Sequence, residues 1–336
     1  MPRNSRAHSP LTAAILLTLL AALCVQPVVA APGDVETVIL FDSIAMETPE
    51  SIVVDAQGNI FIGSAFTAEI FKLAPDGTLS VHAQLPVADV GAACPGSALP
   101  AILGALTLGK RGMLYGNFAA CELENRGIWR INPDGQAERI VELGFDVLPN
   151  GLTLVNDRLY VADSFGSILT APRGGGAATI WSADTALAED PTIFGPGPNG
   201  IQFFDGELYV ANSDTAQILA FPLNEDGTAG APRVHAQLPF GCDDFAFDTR
   251  GAIFCTTDPF NEVLEVSPDG QTITTILDAD DLLDGPTAAA FGRRSVDRLD
   301  LYVANAAFPF FSTINRPSLM KIELEHPGLF PVQTRR

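Results

Sequence analysis

Four oxygen-bearing side chains, Glu50, Asn150, Asn199 and Asp243, occupy one position of a repeated segment. The segment opens six times: PESIVVD (49–55), LGALTLG (103–109), PNGLTLV (149–155), PNGIQFF (198–204), CDDFAFD (242–248) and PTAAAFG (286–292). The other two copies carry Gly104 and Thr287 at that place. In a repeat that closes on itself, equivalent residues converge on the axis. Two carboxylates and two carboxamides gathered there suit a hard divalent cation, Ca²⁺ above all, with water completing the shell. The column holds neither imidazole nor thiolate, which counts against zinc. Asn-Gly is also a common turn pair, and one PNG would more simply mark a tight turn. Two PNG motifs with Glu and Asp in the same column favour the ion, because buried carboxylates and amides without partners are costly.

The elements that must position this column are short strands. An aromatic residue follows each second position by 10 to 15 residues: Phe61, Tyr115, Tyr160, Tyr209, Phe254 and Tyr302, a column that contains all four tyrosines. It marks a second strand, as in DRLYVADS (157–164) and GELYVANS (206–213). A third strand runs into a turn such as APDG (74–77), NPDG (132–135) or SPDG (267–270), where Pro presets φ, Asp bonds the backbone and Gly takes positive φ. A fourth strand follows, and helical periodicity is absent. Spacings of 54, 46, 49, 44 and 44 residues between openings fit four-stranded blades. The sixth copy ends at SLMKIEL (318–324) without its fourth strand, and ETVILFD (36–42) before the first copy supplies that pattern. The expectation is an all-β, six-bladed β-propeller whose last blade is closed by the N-terminal strand. Closure of this kind removes the open sheet edge. A two-sheet sandwich does not explain sixfold recurrence.

Residues 1–30 read as an export signal: Arg3 and Arg6, an apolar run from Leu11 to Val25, and a small-residue cleavage site at Val28-Val29-Ala30. The run is short for a spanning helix, which needs about 20 residues. Residues 31–336 are expected to form one domain with a tail at 325–336, exported to periplasm or outside the cell, monomeric and free of the membrane after cleavage. Without the leader, 17 basic residues face 40 acidic ones, a formal balance of −23 that repels nucleic acid and anionic lipid. Four cysteines remain: Cys94, Cys121, Cys242 and Cys255. An even number in an exported chain favours disulfides. Each of two pairs brackets the first strands of one copy, so 94–121 with 242–255 is expected among three connectivities.

On these motifs the chain resembles the SMP-30/gluconolactonase/LRE-like family, with kinship to diisopropylfluorophosphatases and, more distantly, paraoxonases. The resemblance covers residues 36 to about 324. It implies an axial divalent metal bound by a glutamate, two asparagines and an aspartate in that chain order, which fall on Glu50, Asn150, Asn199 and Asp243. It also implies a metal-dependent hydrolase. Members that hydrolyse sugar lactones resemble one another in an arginine two residues before the first asparagine; Leu148 stands there in this chain. With Phe240, Phe308, Phe310 and Phe311 expected at the mouth, a less polar lactone or ester is the expected small-molecule substrate, with organophosphates a further class.

Asp243 is the expected base or nucleophile. Asp244 joins it only where the chain is still in loop geometry, since neighbours on a strand face opposite ways. Asn117, Asp163 and Asn212 end second strands, where they either line the pocket or cap surface turns. His82 and His235 fall on fourth strands toward the exterior. Two rival readings stand beside hydrolysis. One is a binding or scaffold propeller whose metal only ties the blades together; the other is a strictosidine-synthase-like condensing enzyme.

Overall fold

The computed structural model describes residues 34–188, 196–312 and 314–330. The leader expected at 1–30 therefore lies outside the described residues. Six four-stranded antiparallel sheets stand in a ring, and five of them follow chain order from their inner to their outer strand. Blade one, for instance, runs Pro49–Val54, Ile60–Ser64, Glu69–Leu73 and Leu79–Gln84. Blade six takes Pro286–Phe291, Asp300–Asn305 and Ser318–Glu323 from the C-terminal part and Glu36–Leu40 as its outer strand. Glu36 pairs with Lys321 and Leu40 with Ser318, so the ring closes through the N-terminal strand as expected. The repeated turns are those read from sequence: Gly77, Gly135 and Gly270 have φ of 85°, 86° and 71°.

The aromatic column turns out to be the cement between blades. Six apolar clusters lie between neighbouring sheets, and each contains one column residue: Phe61, Tyr115, Tyr160, Tyr209, Phe254 or Tyr302. Truncating a buried ring of this size typically costs about 3–5 kcal/mol. Its recurrence is thus a packing requirement, since every blade must bury the same face against the next.

Both expected disulfides are present, Cys94–Cys121 and Cys242–Cys255, with Cα separations of 5.1 and 5.8 Å. The second bond joins the residue before Asp243 to the second strand of blade five, Ile253–Thr256. Among the described residues no helix is long and apolar enough to cross a membrane.

Candidate metal centre and axial pocket

The column residues face the axis because the first strands begin with a break in register. Pairing with the second strand slips between Pro49 and Ser51, Leu103 and Leu106, Pro149 and Leu152, Pro198 and Ile201, and Pro286 and Ala288. Each slip contains the column residue. Blade five does the same just before its short inner strand Phe245–Phe247: Asp243 N donates to Thr256 O (2.8 Å) and Thr256 N to Asp244 O (3.0 Å). A bulge of this kind re-aims one side chain without ending the sheet. The PNG glycines serve it through space rather than as turns. A Cβ on Gly151 would lie 2.2 Å from Asn199 O, and one on Gly200 2.7 Å from Asp243 O. Only glycine lets adjacent inner strands approach so closely.

Glu50, Asn150, Asn199 and Asp243 all line one cavity of about 420 Å³. The two amides are oriented by matching serines. Asn150 Nδ2 donates to Ser164 Oγ (3.3 Å), whose hydroxyl donates to Pro198 O (3.0 Å). Asn199 Nδ2 donates to Ser213 Oγ (3.2 Å), whose hydroxyl donates to Cys242 O (2.6 Å). With the nitrogens committed, no donor among the described residues reaches either amide oxygen. Each serine also fixes the backbone just before the next column residue.

The remaining two positions are closed to a ligand for separate reasons. Gly104 has no side chain, and the space a Cβ would take lies 2.4 Å from Asn117 Oδ1. Thr287 Oγ1 is spent on Pro49 O (2.9 Å) and so anchors the residue before Glu50.

The two acids are held under electrostatic stress. Glu50 is half-buried, and its Oε2 is shut off from solvent without a hydrogen-bond partner. Burial, then the charges of Asp243, Asp258 and Asp244, push its pKa well above the usual carboxylate range. Asp243 is driven the same way by burial and by Asp258 and Asp244, against a hydrogen bond from Asn199. Removing charge repulsion and supplying an electrophile for an orphaned carboxylate oxygen is what a divalent cation does. The donor set therefore fits a hard cation. Among the described residues no three His, Cys, Asp or Glu side chains gather closely enough to hold an ion alone. The set depends on its two amides.

Above the oxygen atoms the walls are apolar: Phe66, Phe308, Phe310 and Phe311 on one side, Leu99, Ile102 and Leu148 on another. Phe308 and Phe310 stack at 5.5 Å, and Phe66 contacts Phe308 at 5.3 Å. Leu148 lines the cavity where an arginine would have gripped hydroxyls.

Several expected residues lie elsewhere. Asp244 faces a lower, smaller chamber, where its Oδ1 accepts from Gln202 Nε2 at 3.4 Å; burial raises its pKa to about 6. The chain is in loop geometry at Asp243–Asp244, yet the two still face opposite ways. Asn117, Asp163 and Asn212 do not line the cavity. Asn117 Nδ2 donates to Asn150 O (2.7 Å), Asp163 Oδ1 accepts from Leu148 N (2.9 Å), and Asn212 Nδ2 donates to Ala186 O (3.1 Å). They brace the loops that carry the column. Phe240 stacks on Phe260 at 4.7 Å away from the cavity wall. His82 and His235 sit edge-on to Phe61 and Tyr209, outside the axis as expected.

Sequence reasoning missed Asp258, which lines the cavity from the loop after the second strand of blade five. It also missed Ser164 and Ser213, although each stands 14 residues after its asparagine, a spacing that could have found them. Arg126 was missed too. Its guanidinium donates to Gly144 O, Ala120 O and Val147 O, which secures the loop leading to Leu148 and Asn150.

Comparison with known proteins agrees with this architecture. Residues 195–307 match the sequence model of the SMP-30/Gluconolactonase/LRE-like region. A candidate hetero-Diels-Alderase of Phoma sp is 33% identical over 129 residues, 35% of this chain. The match spans only 37% of that relative's length. A calcium-binding protein, regucalcin, of Agrobacterium tumefaciens superposes with a TM-score of 0.65 at 18% identity, over 91% of this chain and 99% of its own. A gluconolactonase of Xanthomonas campestris gives 0.59 at 17%, over 88% and 97%. Likeness at such identities establishes the fold, and the sequence match adds the family signature. The chain thus carries an SMP-30/Gluconolactonase/LRE-like region set in a six-bladed β-propeller.

Proposed function

We propose that the protein is an exported, monomeric metal-dependent hydrolase of the SMP-30/gluconolactonase type, acting on lactones or esters with apolar bodies. The observation that carries the reading is the buried, unpartnered Oε2 of Glu50 in a cavity shared with Asn150, Asn199 and Asp243. These four would hold a divalent cation, Ca²⁺ being the best match to two carboxylates and two amide oxygens. When bound, such an ion polarises a carbonyl or phosphoryl oxygen and stabilises the charge that develops on it.

The chain's own residues do the rest. The aromatic wall binds the apolar part of the substrate and excludes water from it. Ser164 and Ser213 keep the amide oxygens turned inward. Asp243 accepts the proton of a water that attacks the carbonyl carbon and returns it to the alkoxide as the acyl C–O bond breaks. In the alternative its carboxylate displaces the alkoxide, which takes up a proton from water, and a second water cleaves the acyl-enzyme. Two disulfides support assignment to an oxidising compartment.

The test is hydrolysis of aryl esters, aromatic lactones and organophosphates before and after chelation. Turnover is expected to vanish with the metal and to return with Ca²⁺. Full activity in metal-free protein, or calcium binding without turnover on any class, sinks the hydrolase reading.

The strongly apolar wall and the likeness to the Phoma protein favour a second reading, in which the same cavity hosts a non-hydrolytic reaction of an apolar substrate. Product analysis separates the two, since hydrolysis adds one water and rearrangement adds none.

A further inference from the structure

One carboxyl in the axial cavity is not explained by the ligand column. Asp258 stands two residues past Thr256, the residue whose backbone pairs with Asp243 and Asp244, and so lies one step nearer the mouth. Its Oδ1 is buried and has no hydrogen-bond partner. On that side it meets backbone rather than donors: a Cβ on Gly285 would be 2.7 Å from Asp258 Oδ1. The neighbouring acid, Asp284, is already occupied, its Oδ2 accepting from Ser312 Oγ and Arg316 N, both at 2.8 Å. Burial and the charge of Asp284 raise the pKa of Asp258 to about 7. Asp258 follows the second strand of blade five and is not one of the first-strand positions that make up the ligand column. It is an acceptor waiting in an aromatic wall.

We propose that Asp258 determines specificity, accepting a hydrogen bond from a hydroxyl or ammonium group on an otherwise apolar ligand whose body packs against Phe66, Phe308 and Phe310. This deepens the functional reading above and rests on the axial cavity being the ligand site. An apolar wall binds many flat molecules, whereas one buried acceptor discriminates sharply. A ligand without the donor leaves Asp258 desolvated and unpaired, and that penalty is the basis of selection.

Three probes of matched shape test it by calorimetry at fixed Ca²⁺: 2-methylnaphthalene, 2-naphthylmethanol and 2-naphthylmethylamine. Wild-type protein is expected to bind at least one donor-bearing probe roughly tenfold or more tighter than the methyl compound. Asp258→Ala is expected to abolish that preference while lowering calcium affinity by well under tenfold, the effect of a nearby charge rather than of a ligand. Asp258→Asn, which keeps an acceptor, retains part of it for the alcohol. Binding of wild type to all three probes with equal affinity, or to none, overturns the proposal. So does a preference that survives in Asp258→Ala, or a tenfold loss of calcium affinity there, which makes Asp258 a cation ligand. The comparison among probes on wild type needs no variant to fold. Because the readout is binding, a donor preference found together with no turnover of the esters, lactones and organophosphates defeats the hydrolase reading and leaves this one standing.

Discussion

The two chambers of the axial channel are lined by the same inner strands and behave as opposites. Near the strand starts lies the 420 Å³ cavity, with Glu50 Oε2 and Asp258 Oδ1 both lacking partners. Farther along lies a chamber of about 100 Å³ lined by Ile52, Val54, Leu106, Leu152 and Phe291. There Gln202, Asp244 and Arg293 have partners. Gln202 donates to Asp244, and Arg293 Nη1 donates to Val54 O at 3.3 Å with its guanidinium over the Phe330 ring. The C-terminal segment bonds on below, Leu329 N donating to Phe247 O at 2.8 Å. Regular alternation produces packing, and the register slips at the strand starts turn Glu50, Asn150 and Asn199 toward the cavity. Function belongs where the ladder is broken.

The largest test of that contrast exchanges one polar group in each chamber. Asp243→Asn is expected to lower hydrolysis on the order of 10²–10³-fold, the scale of one lost electrostatic stabiliser. Gln202→Leu in the lower chamber should leave it within about threefold, as a substitution remote from the chemistry. Equal losses in steady-state assays would erase the distinction between the chambers.

Next in size are the disulfides. Replacing either cysteine pair by serine is expected to cost about 2–5 kcal/mol in urea unfolding. Only the Cys242–Cys255 pair should also weaken calcium binding, because Cys242 adjoins Asp243. If loss of Cys94–Cys121 weakens calcium equally, the brace is global rather than local.

Smaller still is the effect of the serines. Ser213→Ala leaves Asn199 free to turn and should reduce metal affinity about 10–100-fold by titration, the usual weight of an outer partner. An unchanged affinity would mean that packing alone holds the amide.

The smallest effect is in pH. Asp258 has a folded pKa of about 7 against an ordinary 3.8, so its contribution is fully present below the ordinary value and fades as pH rises through the folded one. Metal-free wild type should therefore lose more thermal stability between pH 5 and 7.5 than metal-free Asp258→Asn. Parallel pH profiles for the two proteins would contradict the raised value.

Much of this was legible before any coordinates. The column of Glu50, Asn150, Asn199 and Asp243 could be read because cyclic repetition brings equal positions together whatever their surroundings. The closure by residues 36–40 could be read because a missing strand and a surplus one shared a pattern. Asp258 could not. It lies in a loop after a second strand, where the repeats differ, and nothing in a TTDP stretch marks a carboxyl as buried. The roles of Asn117, Asp163 and Asn212 were open for the same reason, since a polar residue at a strand end serves a pocket or a brace equally well.

The sequence by itself determined the ring, its six interblade seams and the identity of four axial donors, because these follow from periodicity and residue type. Only the tertiary structure decided which atoms are left without partners. That depends on distances of a few tenths of an ångström, on a serine 14 residues away turning an amide or a glycine admitting a neighbour's backbone. Periodicity specifies which residues meet, and the satisfaction of their hydrogen bonds specifies which of them remain free for a ligand.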